Sequence, residues 1–293
     1  MRENLVFNFK IMVRQKTFQF AFGVMLLICI GLPLFYYTKY FGAYEYELPS
    51  ADSVFIASNG SVYWEYLSLV LPCFLLLPYG FSYMNEHKSG VAIYIQARKQ
   101  RKKYYYSQMI TCFLGTMMVI TIPFIINIIL NSILFPNSGN NEVWGNGYHK
   151  YSLGYQYSVM GEGYYKNTIA HGAFFKHLFI DYPQISNLLI AIVSGFVLGL
   201  IACLFYSISL LVKRGSVWLL LSSYLIFQVF HVLDSLWDKA CFGGYYINLK
   251  ILDYCSGGLP QYGKFYPVMF GILIFLTFVS LIIVHMQIKK DEG

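Results

Sequence analysis

Six long apolar stretches constrain this chain more than any other feature of its sequence. They cover about residues 18–37, 64–84, 107–134, 184–212, 216–234 and 265–288. Crossing the roughly 30 Å hydrocarbon core of a bilayer takes about 20 residues of helix, and each stretch is close to that length or longer. Only 12% of the 293 residues are charged, against about 25% in a typical soluble domain. The sequence therefore predicts an all-α, polytopic membrane protein with six transmembrane helices. It argues against a soluble enzyme, a disordered scaffold and a nucleic-acid-binding protein.

The distribution of Lys and Arg predicts which side of the membrane each loop faces. Most of the basic residues lie before the first stretch, between the second and third, in the turn after the fourth, and after the sixth: Arg2, Lys10, Arg14, Lys16, Lys88, Arg98, Lys99, Arg101, Lys102, Lys103, Lys213, Arg214, Lys289 and Lys290. Cytoplasmic loops of membrane proteins carry an excess of Lys and Arg. We therefore expect a multi-pass protein of the cytoplasmic membrane, with both termini in the cytoplasm.

The segments between the stretches divide a single transmembrane domain, residues 1–293, into smaller functional parts. Residues 1–17 mix apolar and basic positions at helical spacing, which predicts an interfacial helix; a cytoplasmic extension of the first span is the alternative. Residues 38–63, 135–183 and 235–264 are expected outside the cell. The second of these is long and rich in tyrosine, which suits either a small external cap or a surface in the headgroup layer.

Few residues offer catalytic or binding chemistry. Cys241 and Cys255 lie in the last external segment and could pair in a disulfide if the outside is oxidising. Gly195 and Gly199 form a small-xxx-small face that is typical of helix packing in membranes. His231 and Asp234 share a helix face near the outer end of the fifth span, where structural capping is the simpler interpretation than a proton relay.

Several motifs of known chemistry are missing from the sequence. There is no G-x-x-x-x-G-K-[ST] nucleotide loop, no H-E-x-x-H zinc motif and no G-x-S-x-G nucleophile elbow. The external histidines show no metal-ligand spacing. The sequence therefore predicts no catalytic residue, no metal site and no cofactor in this chain. Any active transport would take its energy from another chain.

Residues 85–106, between the second and third stretches, carry the most ordered pattern. Glu86 and Gly90 come first, a short apolar run over 91–95 follows, and a basic run over 98–103 leads into the next span. The basic run alone satisfies the orientation rule and would bind anionic lipid. A lipid-binding role does not explain why an acid, a glycine and an apolar run precede it.

This layout resembles the loop between the second and third spans of the permease subunits of ABC-2 type ABC transporters, a family common in Gram-positive bacteria. In that family an acid, a glycine three or four residues later, a short apolar helix and an Arg or Lys precede the next span. The matching residues here are Glu86, Gly90, Val91, Ile93, Ile95, Arg98 and Arg101. The resemblance implies that they form a coupling helix, which docks in a cleft of an ATPase subunit.

The resemblance also implies partners and an activity. Two such permease chains, identical or not, would associate with two separately encoded ATPase subunits, which would hold the ATP and Mg. The complex would export a hydrophobic or amphipathic substrate, such as a peptide, a drug or a lipid. Residues 235–264 would correspond to the family's external re-entrant segment, whereas the long segment 135–183 departs from the compact family pattern.

Two other functions remain open at the level of sequence. One is a membrane-embedded enzyme that modifies lipids, with His231 and Asp234 or the external histidines at its centre. The other is a sensor or assembly module that does not transport and that binds peptide or protein through its tyrosine-rich external segment. An ATPase encoded beside this chain would favour the exporter over both.

Overall fold

The computed structural model describes most of the chain in several separate segments. These are residues 2–43, 48, 49, 51, 52, 54–57, 62–82, 84, 86, 101–136, 182–211, 216–237, 241, 242, 245, 246, 249, 251–255 and 266–292. The structural statements below concern these residues.

The described residues form helices, together with one very short hairpin. The helices are α1 (Arg2–Arg14), α2 (Lys16–Lys39), α3 (Val62–Leu76), α4 (Arg101–Leu134), α5 (Pro183–Leu211), α6 (Ser216–Trp237) and α7 (Tyr266–Glu292). A 3₁₀ turn covers Ile251–Cys255, and the hairpin pairs β1 (Cys241–Phe242) antiparallel with β2 (Tyr245–Tyr246). The prediction of a helical protein is confirmed.

Four helices are long and apolar enough to cross a membrane. Their apolar segments are Lys16–Lys39, Lys102–Leu134, Gln184–Leu211 and Pro267–Lys290. They coincide with the first, third, fourth and sixth predicted spans. In α6 the apolar part found among the described residues, Leu221–Phe230, is shorter. The total of six spans stays a prediction.

Helix α3 ends earlier than the second predicted span, which was expected to reach residue 84. It stops at Leu76 because the residue before a proline avoids the helical conformation, and Pro78 follows Leu77. The chain then turns. The Gly80 N–H donates to the Leu76 carbonyl oxygen at 2.8 Å, and a Cβ on Gly80 would lie 2.8 Å from that same oxygen, so this turn requires glycine.

Helices α4 and α5 pack side by side in antiparallel directions at the centre of the bundle. Helix α4 also contacts α1 and α2, and α5 also contacts α3 and α7. In the apolar window of α5 61% of the residues are buried, against 44% in α4 and 28% in α2 and in α7, so α5 is the most enclosed of these four candidate spans. A Cβ on Gly195 would collide with the Thr121 side chain, and one on Gly199 would lie 2.8 Å from the Phe113 ring. Both glycines therefore lie where α5 packs closely against α4.

Candidate functional site

Glu86 hydrogen-bonds to the first turns of α4. Its Oε2 accepts hydrogen bonds from the Tyr104 hydroxyl and from Gln108 Nε2, the latter at 2.8 Å. Tyr104 and Gln108 are four residues apart, so they share one face of the helix. This local geometry lets two donors of α4 converge on a single carboxyl group.

The same contacts extend to α5. The Tyr206 hydroxyl donates to Gln108 Oε1 at 2.9 Å, so the Gln108 amide uses its nitrogen for Glu86 and its oxygen for α5. Tyr104 is 3% exposed, and Gln108 and Tyr206 are fully buried. We call Glu86, Tyr104, Gln108 and Tyr206 the Glu86 cluster. It joins the segment after α3 to the two central helices.

Burial and hydrogen bonding act on the Glu86 carboxyl in opposite directions. Burial raises its pKa above the ordinary value of a glutamate, because an apolar surrounding disfavours the charged form. The hydrogen bonds from Tyr104 and Gln108 lower the pKa, but by less than burial raises it. The net effect is a carboxyl group that holds its proton more readily than an exposed one.

The N-terminal helix contacts the same part of α4. Asn8 Nδ2 donates to Ser107 Oγ at 3.1 Å, and Ser107 Oγ in turn donates to the Tyr104 carbonyl oxygen at 2.8 Å. One turn further along α1, Met12 is fully buried against Gly115, where a Cβ would collide with its sulfur. The turn Tyr104–Gln108 is therefore where α1, α5 and the Glu86 segment meet α4.

Most of the sequence-predicted coupling residues fall outside the described residues. Five of the predicted coupling residues lie outside the described part of the chain: Gly90, Val91, Ile93, Ile95 and Arg98. Arg101 is described only as the first residue of α4. Glu86 is described, and both of its hydrogen bonds given above are made within this chain. A contact of these residues with an ATPase stays a prediction.

A second buried polar cluster lies near the other end of α4. Asn127 Nδ2 donates to the Cys29 carbonyl oxygen of α2 at 2.6 Å. Pro33 explains why that carbonyl needs a donor: proline has no N–H, so the helical bond from residue 33 back to residue 29 cannot form. Asn127 thus satisfies a carbonyl that Pro33 leaves without its usual partner.

The same asparagine also holds a connecting segment. Asn127 Oδ1 accepts from the Ile56 backbone N–H at 3.2 Å and from Asn131 Nδ2 at 3.1 Å. Asn187 Nδ2 of α5 donates to the Asp52 carbonyl oxygen at 3.0 Å. We call Asn127, Asn131 and Asn187 the asparagine cluster. All three side chains are buried.

The connecting segment held by these asparagines is itself buried. Phe55 and Ile56 are each 1% exposed, and the Phe55 ring packs edge-on against Phe124, with the ring centroids 5.7 Å apart. The sequence interpretation placed residues 38–63 in an external connection and missed this packing. The apolar run over 54–57 was the only signal that could have indicated it.

The remaining candidate residues are described only in part. Cys255 is fully buried, and its carbonyl oxygen accepts from Ser194 Oγ at 2.7 Å. The side chains of Cys241, His231 and Asp234 lie outside the described residues, so the disulfide stays a prediction. Within the described segments no three His, Cys, Asp or Glu residues are grouped to hold a metal ion.

Comparison of the chain with protein-family models, with curated proteins and with solved structures finds no match. The class of the protein therefore follows from the structure itself. It is a helical protein in which four of the described helices are long and apolar enough to cross a membrane. Buried polar clusters lie near the two ends of its central helix α4.

Proposed function

We propose that this chain is the transmembrane permease subunit of an ABC-type exporter, with ATP hydrolysed by a separate subunit. The observation that carries the proposal is the position of Glu86. This residue opens the segment that resembles a coupling helix, and it is bonded to α4 and, through Gln108, to α5. A movement of that segment would therefore reach the two central helices directly.

The surface of the helices supports a membrane environment. Large apolar side chains are exposed on the outer faces of α2, α6 and α7: Phe20, Leu27, Leu34, Phe35, Trp218, Leu221, Leu225, Val229, Phe270, Ile274, Phe275, Phe278 and Met286. Soluble proteins rarely expose apolar patches of this extent. In a bilayer the same faces would contact acyl chains. We propose six spans in the cytoplasmic membrane, with both termini and residues 85–106 in the cytoplasm.

The orientation rests on exposed basic residues near the Glu86 cluster. Lys102 and Lys103 at the start of α4, and Lys10 and Arg14 on α1, are exposed. Exposed basic side chains at this end would suit the anionic headgroups of an inner leaflet. The asparagine cluster then lies toward the outside. In this arrangement the ATPase approaches the end of the bundle where α1, α4, α5 and the Glu86 segment meet.

The proposed mechanism needs no catalytic residue in this chain. ATP-driven closure of two ATPase subunits would push residues 85–106, and α4 and α5 would tilt in response. The ATP and Mg would be held in the partner subunits. An amphipathic or hydrophobic cargo, such as a peptide, drug or lipid, suits spans whose exposed faces are apolar and carry few charges.

Purification of the tagged protein from its native membrane tests the proposal. We expect a partner with a nucleotide-binding loop to co-purify and the complex to hydrolyse ATP. Gly90→Trp should abolish assembly, because its side chain would hold the ATPase away from the backbone. Gly271→Trp is the matched control, since no atom lies within 4 Å of a Cβ there.

Two outcomes would contradict the proposal. One is purified protein with no nucleotide-binding partner and no ATP hydrolysis. The other is wild-type assembly in the Gly90→Trp variant. If neutralising the basic run Arg98–Lys103 reverses the topology while Gly90→Trp is silent, the segment 85–106 acts as a lipid-binding loop instead.

A further inference from the structure

We propose that Glu86 is a positioning residue that transmits the movement of the cytoplasmic segment to α4 and α5 through Tyr104, Gln108 and Tyr206. In this role its Oε2 stays hydrogen-bonded to α4 and does not serve as an anchor for the ATPase. The inference rests on the proposed function, and it assigns Glu86 a different role from the one that the family resemblance implies.

The Glu86 carboxyl group is held by hydrogen bonds within the chain. Glu86 Oε2 already accepts two hydrogen bonds, from Tyr104 and from Gln108, and both donors are buried side chains of α4. If a partner protein took Glu86, the Tyr104 hydroxyl and the Gln108 amide would be left buried without their acceptor. Leaving buried donors unsatisfied is unfavourable, so the bonds within the chain compete effectively with an external contact.

Gln108 connects Glu86 to α5. Its nitrogen donates to Glu86 and its oxygen accepts from Tyr206, so the amide cannot follow one partner without straining its bond to the other. Hydrogen bonds in a buried network strengthen one another, so displacing one member weakens the bonds of the others. Glu86 is therefore linked to α4 directly and to α5 through Gln108.

Helix α1 contacts the same turn of α4. Asn8 of α1 is bonded to Ser107, which lies between Tyr104 and Gln108. Three parts of the chain thus meet at a single helical turn, and each does so through side chains that are buried or half-buried. A force applied at Glu86 has a short and direct route into the bundle.

A set of variants separates positioning from ATPase contact. In the assembled complex we expect Tyr104→Phe, which removes one of the two bonds, to lower ATP hydrolysis about tenfold, and Glu86→Ala, which removes both, to lower it at least as much. The affinity for the ATPase should change less than about twofold. Glu86→Gln should retain most of the activity, because its side-chain oxygen can still accept both bonds. Tyr106→Phe, on the neighbouring half-buried tyrosine, is the matched control.

Thermal unfolding of the isolated chain in lipid nanodiscs distinguishes failure of this inference from failure of the proposed function. Glu86→Ala and Tyr104→Phe should each lower the Tm, and the double variant should lower it by no more than the larger single effect. Additive effects would overturn the inference. So would an ATPase affinity that falls tenfold in Glu86→Ala while Tyr104→Phe has no effect. Non-additive unfolding in a protein that binds no ATPase would overturn the proposed function and, with it, the transmitting role.

Discussion

The Glu86 cluster and the asparagine cluster lie near opposite ends of α4, and they differ in charge and in what they hold. The asparagine cluster uses neutral amides, and three of its bonds end on backbone groups, those of Cys29, Asp52 and Ile56. The Glu86 cluster joins side chains to one another around a titratable carboxyl. The first fixes the path of the backbone, whereas the second links parts of the chain through a group that responds to its environment.

This difference follows from the local chain. Residues 54–57 do not form a helix, and Pro33 interrupts the hydrogen bonds of α2, so both leave backbone groups that water cannot reach. Such groups need internal partners, because each unsatisfied one is costly in an apolar surrounding. An amide side chain meets that need with a donor and an acceptor and carries no charge. An ionised carboxylate at the same depth would offer acceptors alone and would carry a charge.

The largest expected effect is on the asparagine cluster. Asn127→Leu removes the partner of the Cys29 carbonyl and of the Ile56 N–H. Each buried group left without a partner costs about 1–3 kcal/mol, so we expect the variant to lose about 2–6 kcal/mol. Denaturant unfolding in mild detergent measures the loss.

Asn131→Leu is the control for that experiment. It removes one amide–amide bond and also a buried Oδ1 that has no hydrogen-bond partner among the described residues. We expect a loss of about 1 kcal/mol or less. Equal losses in the two variants would show that Asn127 does not serve the backbone.

The next largest effect is expected from a substitution at the centre of the Glu86 cluster. Gln108→Leu leaves the Tyr206 hydroxyl without its acceptor and removes one donor from Glu86. We expect a loss of about 1–3 kcal/mol, smaller than that of Asn127→Leu, since the released groups are side chains that can turn toward other partners. The double variant Gln108→Leu, Tyr206→Phe should recover part of the loss. If it is less stable than Gln108→Leu alone, the Tyr206–Gln108 bond does not contribute as described.

A rescue experiment refines the account of Asn127. Pro33→Ala restores an N–H four residues after Cys29, so the Cys29 carbonyl regains a helical donor. In this background we expect Asn127→Leu to cost about 1 kcal/mol less than it does in the wild type. The same denaturant unfolding measures the difference. An unchanged cost would mean that the Cys29 carbonyl is not what Asn127 stabilises.

The smallest effect is a pH dependence that the asparagine cluster should lack. Burial raises the pKa of Glu86, so the folded state is more stable when this carboxyl group is protonated than when it is ionised. This contribution is fully present below the ordinary glutamate pKa of about 4.3, and it is lost as pH rises through the raised value. As the pH rises from about 4.3 through the raised pKa of Glu86, the Tm of the wild type should therefore fall relative to that of Glu86→Gln. A constant difference between the two Tm values from pH 4 to pH 8, or one of opposite sign, would contradict the assigned shift.

The sequence predicts the helices better than it predicts these clusters. The apolar lengths of α2, α4, α5 and α7 indicate four spans directly, because crossing a bilayer fixes the number of residues that a helix needs. Sequence also indicates Pro33 as a place where a carbonyl lacks its partner. It does not reveal that Asn127, 98 residues away from Cys29, supplies the donor.

The position of Glu86 shows the same limit. Its spacing from Gly90 and the basic run suggested a residue that faces a partner protein. In the structure its Oε2 accepts hydrogen bonds from Tyr104 and Gln108, 18 and 22 residues later, across the segment that separates α3 from α4, and a contact with a partner protein stays a prediction. Spacing along the chain indicates which residues share a helix face, but it does not reveal which way an isolated carboxyl turns between two elements.

Transport itself tests the central claim, that this chain forms the membrane path of an ATP-driven exporter. Inside-out vesicles that contain the purified complex would be given a fluorescent amphipathic peptide, a cationic drug or a labelled lipid, with and without ATP. We predict that at least one of these accumulates inside the vesicles only with ATP, and that the accumulation is lost in Gly90→Trp and kept in Gly271→Trp. ATP hydrolysis by the complex with no ATP-dependent movement of any of the three probes would contradict the claim.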